Sequence, residues 1–137
     1  MEAALIARLR GNTEVTATAG EIGGRPAVDI HERKSNDHAA FPAVVVTKVS
    51  SGRTYDQDGA DGLEIPRMRF ECFALSGADS ITMARVVRDT LETAETVGGI
   101  RFHRGKVRFE RSFPPEDLAG GTRVFRTILD MEIPATA

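Results

Sequence analysis

Cysteine is nearly absent. Cys72 is the one thiol among 137 residues, so no disulfide can form within the chain, which points to a reducing compartment or an assembly made in one. Charge of one sign is not in excess either. The 18 basic and 20 acidic residues leave a net charge of -2, which excludes a whole-chain polycation built to coat nucleic acid; charge-driven contacts must be local. Long apolar runs are missing as well. Phe41 to Val46 is the longest, far below the ~20 residues that span a bilayer, and no membrane anchor is expected. The opening "MEAALIARLR" lacks the basic start and apolar core of a secretory signal and is expected to belong to the fold.

Recognisable chemistry is missing too. His31, His38 and His103 lie in separate segments without metal-ligand spacing, so no zinc site is expected. The glycine pairs Gly23–Gly24, Gly98–Gly99 and Gly120–Gly121 read as turns, because no GxxxxGK[ST] or GxGxxG joins a strand to a helix. Cys72 shares a strand face with Met68 and Phe70, which describes a buried inert thiol and not a nucleophile with a base beside it. No catalytic residue, cofactor or metal is assigned, and no hydrolase, transferase or nuclease activity is expected.

What is present is one core's worth of apolar residues, 41% of the chain, and the pattern predicts one domain over residues 1–137. "EAALIARLR" predicts a helix with Ala3, Leu5, Ile6 and Leu9 inward and Glu2, Arg8 and Arg10 outward, ending at Gly11. Asn12 is placed to cap a second short helix that Gly20 stops. A weak or edge strand is expected around Val28 and Ile30, then a strong β run, "FPAVVVTKV", buried on both faces over Val44 to Val46. "RMRFECFA" alternates, with Met68, Phe70, Cys72 and Ala74 on one face. Ser76 and Asp79 form a capping box that opens a helix from Ala78 to about Thr93 with an Ile81, Ala84, Val87, Leu91 stripe, which "VGG" is expected to close. Two strands follow, Ile100 to Phe109 and Thr122 to Ile133, joined through "PPEDLAGG". The order predicts an α+β fold: a single mainly antiparallel or mixed β-sheet, with the N-terminal helix and one long helix packed on one face.

The segment "SSGRTYDQDGADGLEIP" sets three aspartates and three glycines between two strands. As an EF-hand it fails, because with Gly59 as the turn glycine the first ligand position is Thr54 and the closing one is Ile65. A long loop carrying Tyr55 and Leu63 reads instead as a contact surface. The run "RFHRGKVRFER" could track phosphates, but Val107 and Phe109 alternate as core-facing residues and leave Lys106 and Arg108 on an ordinary wet face. A third reading joins the two. Asp56, Asp58, Asp61 and Glu64 on the loop, and Arg104, Lys106 and Arg108 on the strand, are candidate contacts of unlike patches between subunits, which close into a ring when the rotation permits; Arg53 and Tyr55 join the aspartates as candidate contacts to a neighbouring ring.

Taken in order, "ALIARLRGN", "FPAVVVTKVSSGRTYDQDGADGLEIPRMRFECFA", "ARVVRDTL" and "LAGGTRVFRTILDMEI" resemble the phage tail-completion and tail-terminator family, including its members in phage-like gene transfer agents. Only Gly23 to Ala40 is longer and more polar than that pattern. The resemblance implies a structural subunit made in the cytoplasm and placed at the head-proximal end of the tail. There a homo-oligomeric ring, usually of six, would cap the tail tube, stop its growth and join it to the head-tail connector. DNA would pass through without sequence-specific binding. A neighbouring stopper or adaptor protein of the head-tail joint is the alternative, and a small calcium- or nucleic-acid-binding module a further one.

Overall fold

The computed structural model describes residues 1–56 and 59–136, and for residues 53–62 the backbone alone. Helix α1 (Glu2–Gly11) buries Leu5, Ile6 and Leu9, and α2 (Thr13–Thr18) buries Val15. Asn12 caps α2 as expected, its Oδ1 accepting from the N–H groups of Glu14 and Val15 at 2.9 and 3.1 Å. A two-strand ladder of β1 (Glu21–Ile22) and β2 (Arg25–Pro26) follows. Its turn holds Gly23 and Gly24 at φ 58 and 76, the paired left-handed conformation that tight hairpins favour. Next comes β3 (Val28–Ile30), the expected edge strand, which runs parallel to β4 (Ala43–Ser50).

Beyond β4 the chain forms β5 (Arg53–Asp56), β6 (Gly59–Glu64), β7 (Arg67–Ala74), α3 (Gly77–Leu91), β8 (Glu95–Val97), β9 (Ile100–Phe102), β10 (Lys106–Asp117), β11 (Arg123–Glu132) and β12 (Ala135–Thr136). The expected single sheet is replaced, among the described residues, by the small β1–β2 ladder and two five-stranded sheets. The larger is ordered β10-β11-β7-β4-β3 and is antiparallel except at β3–β4; the smaller is ordered β5-β6-β12-β9-β8.

The reason for two sheets lies at a seam where the chain crosses four times, at Ser51–Gly52, Ile65–Pro66, His103–Gly105 and Ile133–Pro134. Pro66 and Pro134 have no N–H to offer a ladder, so their neighbours donate instead: Ile65 to the Gly52 carbonyl at 2.7 Å and Ile133 to the Pro66 carbonyl at 3.0 Å, while His103 donates to Pro134 at 2.8 Å. Gly52 has φ 58, and a Cβ there would meet the Ile65 carbonyl oxygen at 1.9 Å. Only glycine fits.

The core lies between α1, α3 and the inner face of the larger sheet. Met68, Phe70, Cys72 and Ala74 alternate inward with no exposure, and Phe70 and Leu91 share one buried cluster. Ser76 caps α3, its Oγ accepting from the Asp79 N–H at 3.1 Å. The buried stripe of α3 is Met83, Ala84, Val87 and Leu91, with Ser80 and Thr90, whereas the expected Ile81 is half-buried. Helix α3 stops at Leu91, and "VGG" does not close it: Gly98 and Gly99, at φ 59 and 78, turn the β8–β9 hairpin. The Leu91 carbonyl is instead taken by the Gly105 N–H at 2.7 Å.

Arg8, expected on the wet side of α1, is 2% exposed. It earns burial by capping α3 from outside: its Nη2 donates to the carbonyls of Thr90 and Thr93, both at 2.8 Å, and its Nε to Glu95 at 3.1 Å. A guanidinium suits the negative end of a helix dipole. Burial pulls its pKa down, and Glu95 works against that.

Candidate interaction surfaces

The Asp- and Gly-rich segment is an antiparallel hairpin rather than a loop. Its strands β5 and β6 pair Arg53 with Glu64, Tyr55 with Ala60 and Asp56 with Gly59. Through β6 the hairpin is tied to β12, Glu64 opposite Ala135 and Leu63 opposite Thr136. Asp58 lies outside the described residues, as do the side chains of Arg53, Tyr55, Asp56 and Asp61; Glu64 is half-buried.

The predicted Ile100–Phe109 strand breaks at Gly105 into β9 and β10, which belong to different sheets. A Cβ at Gly105 would crowd the Leu91 carbonyl at 2.8 Å and Ile133 at 2.9 Å, so the chain turns where only glycine is accommodated. Arg104 is exposed in this connection, and Lys106 and Arg108 open β10. Arg108 is already held within the subunit: its Nη2 donates to Glu132 Oε2 and its Nε lies by Oε1, both at 2.9 Å. That bond draws the Glu132 carboxyl below the usual range.

Val107 and Phe109 are not core-facing as expected; each is 37% exposed. A register shift between them sets one opposite Met131 and the other opposite Asp130. Strand β10 is the sheet's edge, and both side chains keep part of their surface in solvent. Pro114 to Asp117, expected in a connection, continue β10.

The outer face of the larger sheet holds residues that the sequence reading missed. Its rows across β4, β7 and β11 are Ala43, Phe73, Arg126; then Val45, Glu71, Ile128; then Thr47, Arg69, Asp130. Asp130 has no exposure. It accepts from Arg69 Nε at 2.8 Å and Nη2 at 3.0 Å, and from Arg67 Nε at 3.1 Å and Nη2 at 2.8 Å. Burial pushes its carboxyl up, but the bonds from Arg69 and Arg67 outweigh it and the pKa lies below the ordinary value. The two arginine side chains remain 39% exposed.

Along the same face Arg126 pairs with Glu71 at 3.3 Å and lies 4.8 Å from the Phe113 ring centre, with Arg111 at 5.2 Å from that ring. Arg33, reaching over from the segment before β4, stacks on Phe73 at 4.6 Å and Phe41 at 5.4 Å. Arg33 and Arg126 are thereby held against aromatic rings of their own subunit. The alternation of "RMRF" and "ILDME" shows which residues point outward, but the register that brings Asp130 between Arg67 and Arg69 is a long-range fact absent from either segment.

Among the described residues no group of three or more His, Cys, Asp or Glu could hold a metal ion, and no described helix is long and apolar enough to cross a membrane. Cys72 is buried, and burial pushes its thiol pKa far up, away from thiolate chemistry.

No curated protein matches the chain. A chain from the virion of a native gene transfer agent particle shares the fold, with a TM-score of 0.69 over 100% of this chain and 95% of its own, at 15% identity. A more distant solved chain, 13% identical with a TM-score of 0.46 over 96% of this chain and 89% of its own, carries no argument. The model of the family named tail completion protein gp17 matches residues 3–133, and the chain accordingly belongs to that family of phage-type tail structural proteins.

Proposed function

We propose that the protein acts as a tail terminator without catalysis of its own. Copies assemble as a closed ring, six in the arrangement that the resemblance implies, on the head-proximal end of the tail tube. The ring halts tube growth, joins the tube to the head-tail connector and lets DNA through without reading its sequence. The observation that carries the reading is the β5–β6 hairpin. Its strands continue β4 and β7, central strands of the larger sheet, so a stiff body presents an arm bearing Arg53, Tyr55, Asp56, Asp58, Asp61 and Glu64 to a neighbouring ring. Arg104 and Lys106 serve as contacts between adjacent subunits, whereas Arg108 acts chiefly by holding Glu132.

The test is to replace residues 55–62 by an Asn-Gly turn, which two-residue hairpins accept and which keeps Arg53 opposite Glu64. Leu63 and Glu64 keep their pairing to β12, so the fold is expected to survive. Electron microscopy of particles carrying this variant is expected to show tails detached from heads or grown past their normal length. Normal length and normal attachment with the variant incorporated would remove the hairpin from the contact and the reading with it.

A further inference from the structure

The two broad sides of the molecule carry opposite charge. On the outer sheet face Arg33, Arg67, Arg69, Arg111 and Arg126, with Lys106 at the edge, outnumber Glu71, Asp130 and Glu132. Asp130 is sealed beneath two arginines, so its charge is spent inside the face. The opposite side is the helix layer, since α3 lays Met83, Ala84 and Val87 into the core on the inner face of the sheet. There Glu14, Asp79, Asp89 and Glu92 are exposed against Arg85 and Arg88, while Glu95 is paired with Arg8. Glu14 and Asp89 line one hollow of about 380 Å³ between α2 and α3, with Val86 and Thr93 in its wall.

We infer that the outer sheet face is a docking surface for a second copy of this chain, which presents its α2–α3 side. This deepens the ring reading and rests on it. The two surfaces are unlike and lie on opposite sides of one body, so each copy offers one and receives the other, the head-to-tail geometry that closes rings. Arginines immobilised by Asp130 and by the Phe73 and Phe113 rings lose little side-chain freedom on contact, which favours them as anchors. A carboxylate of the neighbouring copy would take up the N–H groups that Arg67 and Arg69 do not spend on Asp130. Asp130 is thus a positioning residue: it aims two guanidinium groups without meeting the partner.

The experiment uses two charge-reversed chains. One carries Lys106→Glu with Arg111→Glu on the sheet face; the other carries Glu14→Lys with Glu92→Lys on the helix side. Sedimentation of the intact wild type is expected to show self-association that weakens with added salt. Each variant alone is expected to associate about a hundredfold less tightly, near tenfold for each reversed charge. An equimolar mixture is expected to recover association as alternating copies, because every reversed face then meets its complement. Thermal melting checks that each chain is folded, and Arg111→Gln with Glu92→Gln gives the same pattern in smaller steps should a reversal unfold.

Self-association untouched by both variants, or a mixture no better than its parts, would overturn this pairing. The ring reading would stand, because it is decided on particles. Absence of wild-type association at any attainable concentration would overturn the pairing as well.

Discussion

Asp130 has no solvent exposure, yet it sits on the outer face of the sheet between buried Ile128 and half-buried Glu132. Two arginines satisfy it, and removing a carboxylate from beneath them leaves two like charges side by side. Asp130→Asn is therefore expected to cost about 2 kcal/mol, less than the 3–5 found for fully buried pairs because solvent reaches both arginines. Its lowered pKa sets the direction with pH. The folded state holds the proton less tightly than the unfolded chain, so the stabilisation is complete above the ordinary value near 4 and fades as pH falls below it. Melting temperature followed from neutral pH downward should fall less steeply in Asp130→Asn than in wild type. Parallel curves would show that the carboxylate is not what acid removes. At this scale the sequence was partly readable: the inward set Met68, Phe70, Cys72, Ala74 and the cap at Ser76 follow from local spacing, whereas the burial of Asp130 and Arg8 depends on partners 61 and 82 residues away.

Helix α3 and strand β10 show what local pattern can and cannot reveal about an element. The start of α3 is written in its own residues, but its end is set from elsewhere: Arg8 and Gly105 take the carbonyls of Thr90, Leu91 and Thr93, so the helix stops well short of the glycines expected to close it. Arg8→Ala is expected to destabilise the fold by about 2–3 kcal/mol, because carbonyls at a buried helix end lose a charged donor. Denaturant unfolding measures this, and a loss under about 0.5 kcal/mol would mean that water replaces the guanidinium. In β10 the alternation of Val107 and Phe109 suggested a core-facing strand, but a bulge and an edge position expose both. Edge strands of this kind are commonly guarded by charge and proline, and Lys106, Arg108, Glu110 and Arg111 with Pro114 and Pro115 supply both.

For the molecule as a whole, the α+β class and most element positions were legible, while the division into two five-stranded sheets was not. The division depends on where a chain bends, and Gly52, Pro66, Gly105 and Pro134 look individually like ordinary punctuation. Gly52 is the most exacting of them: Gly52→Ala would need a left-handed residue and room where the Ile65 carbonyl already lies, and is expected to cost at least about 2 kcal/mol of global stability. An alanine variant as stable as wild type would show that the seam shifts freely.

The same seam decides how the molecule carries a load. Strands β5 and β6 leave the larger sheet from the same end of its adjacent strands β4 and β7, which are bonded to each other and flanked by β3 and β11. Tension on the hairpin therefore runs along β4 and β7 and loads the ladders that hold them to β3 and β11, the antiparallel β7–β11 bonds at right angles. Those bonds must give way together, in shear, and cannot be peeled off one after another. A joint between two parts of a tail that hangs on this arm would be strongest in the direction in which the arm is pulled.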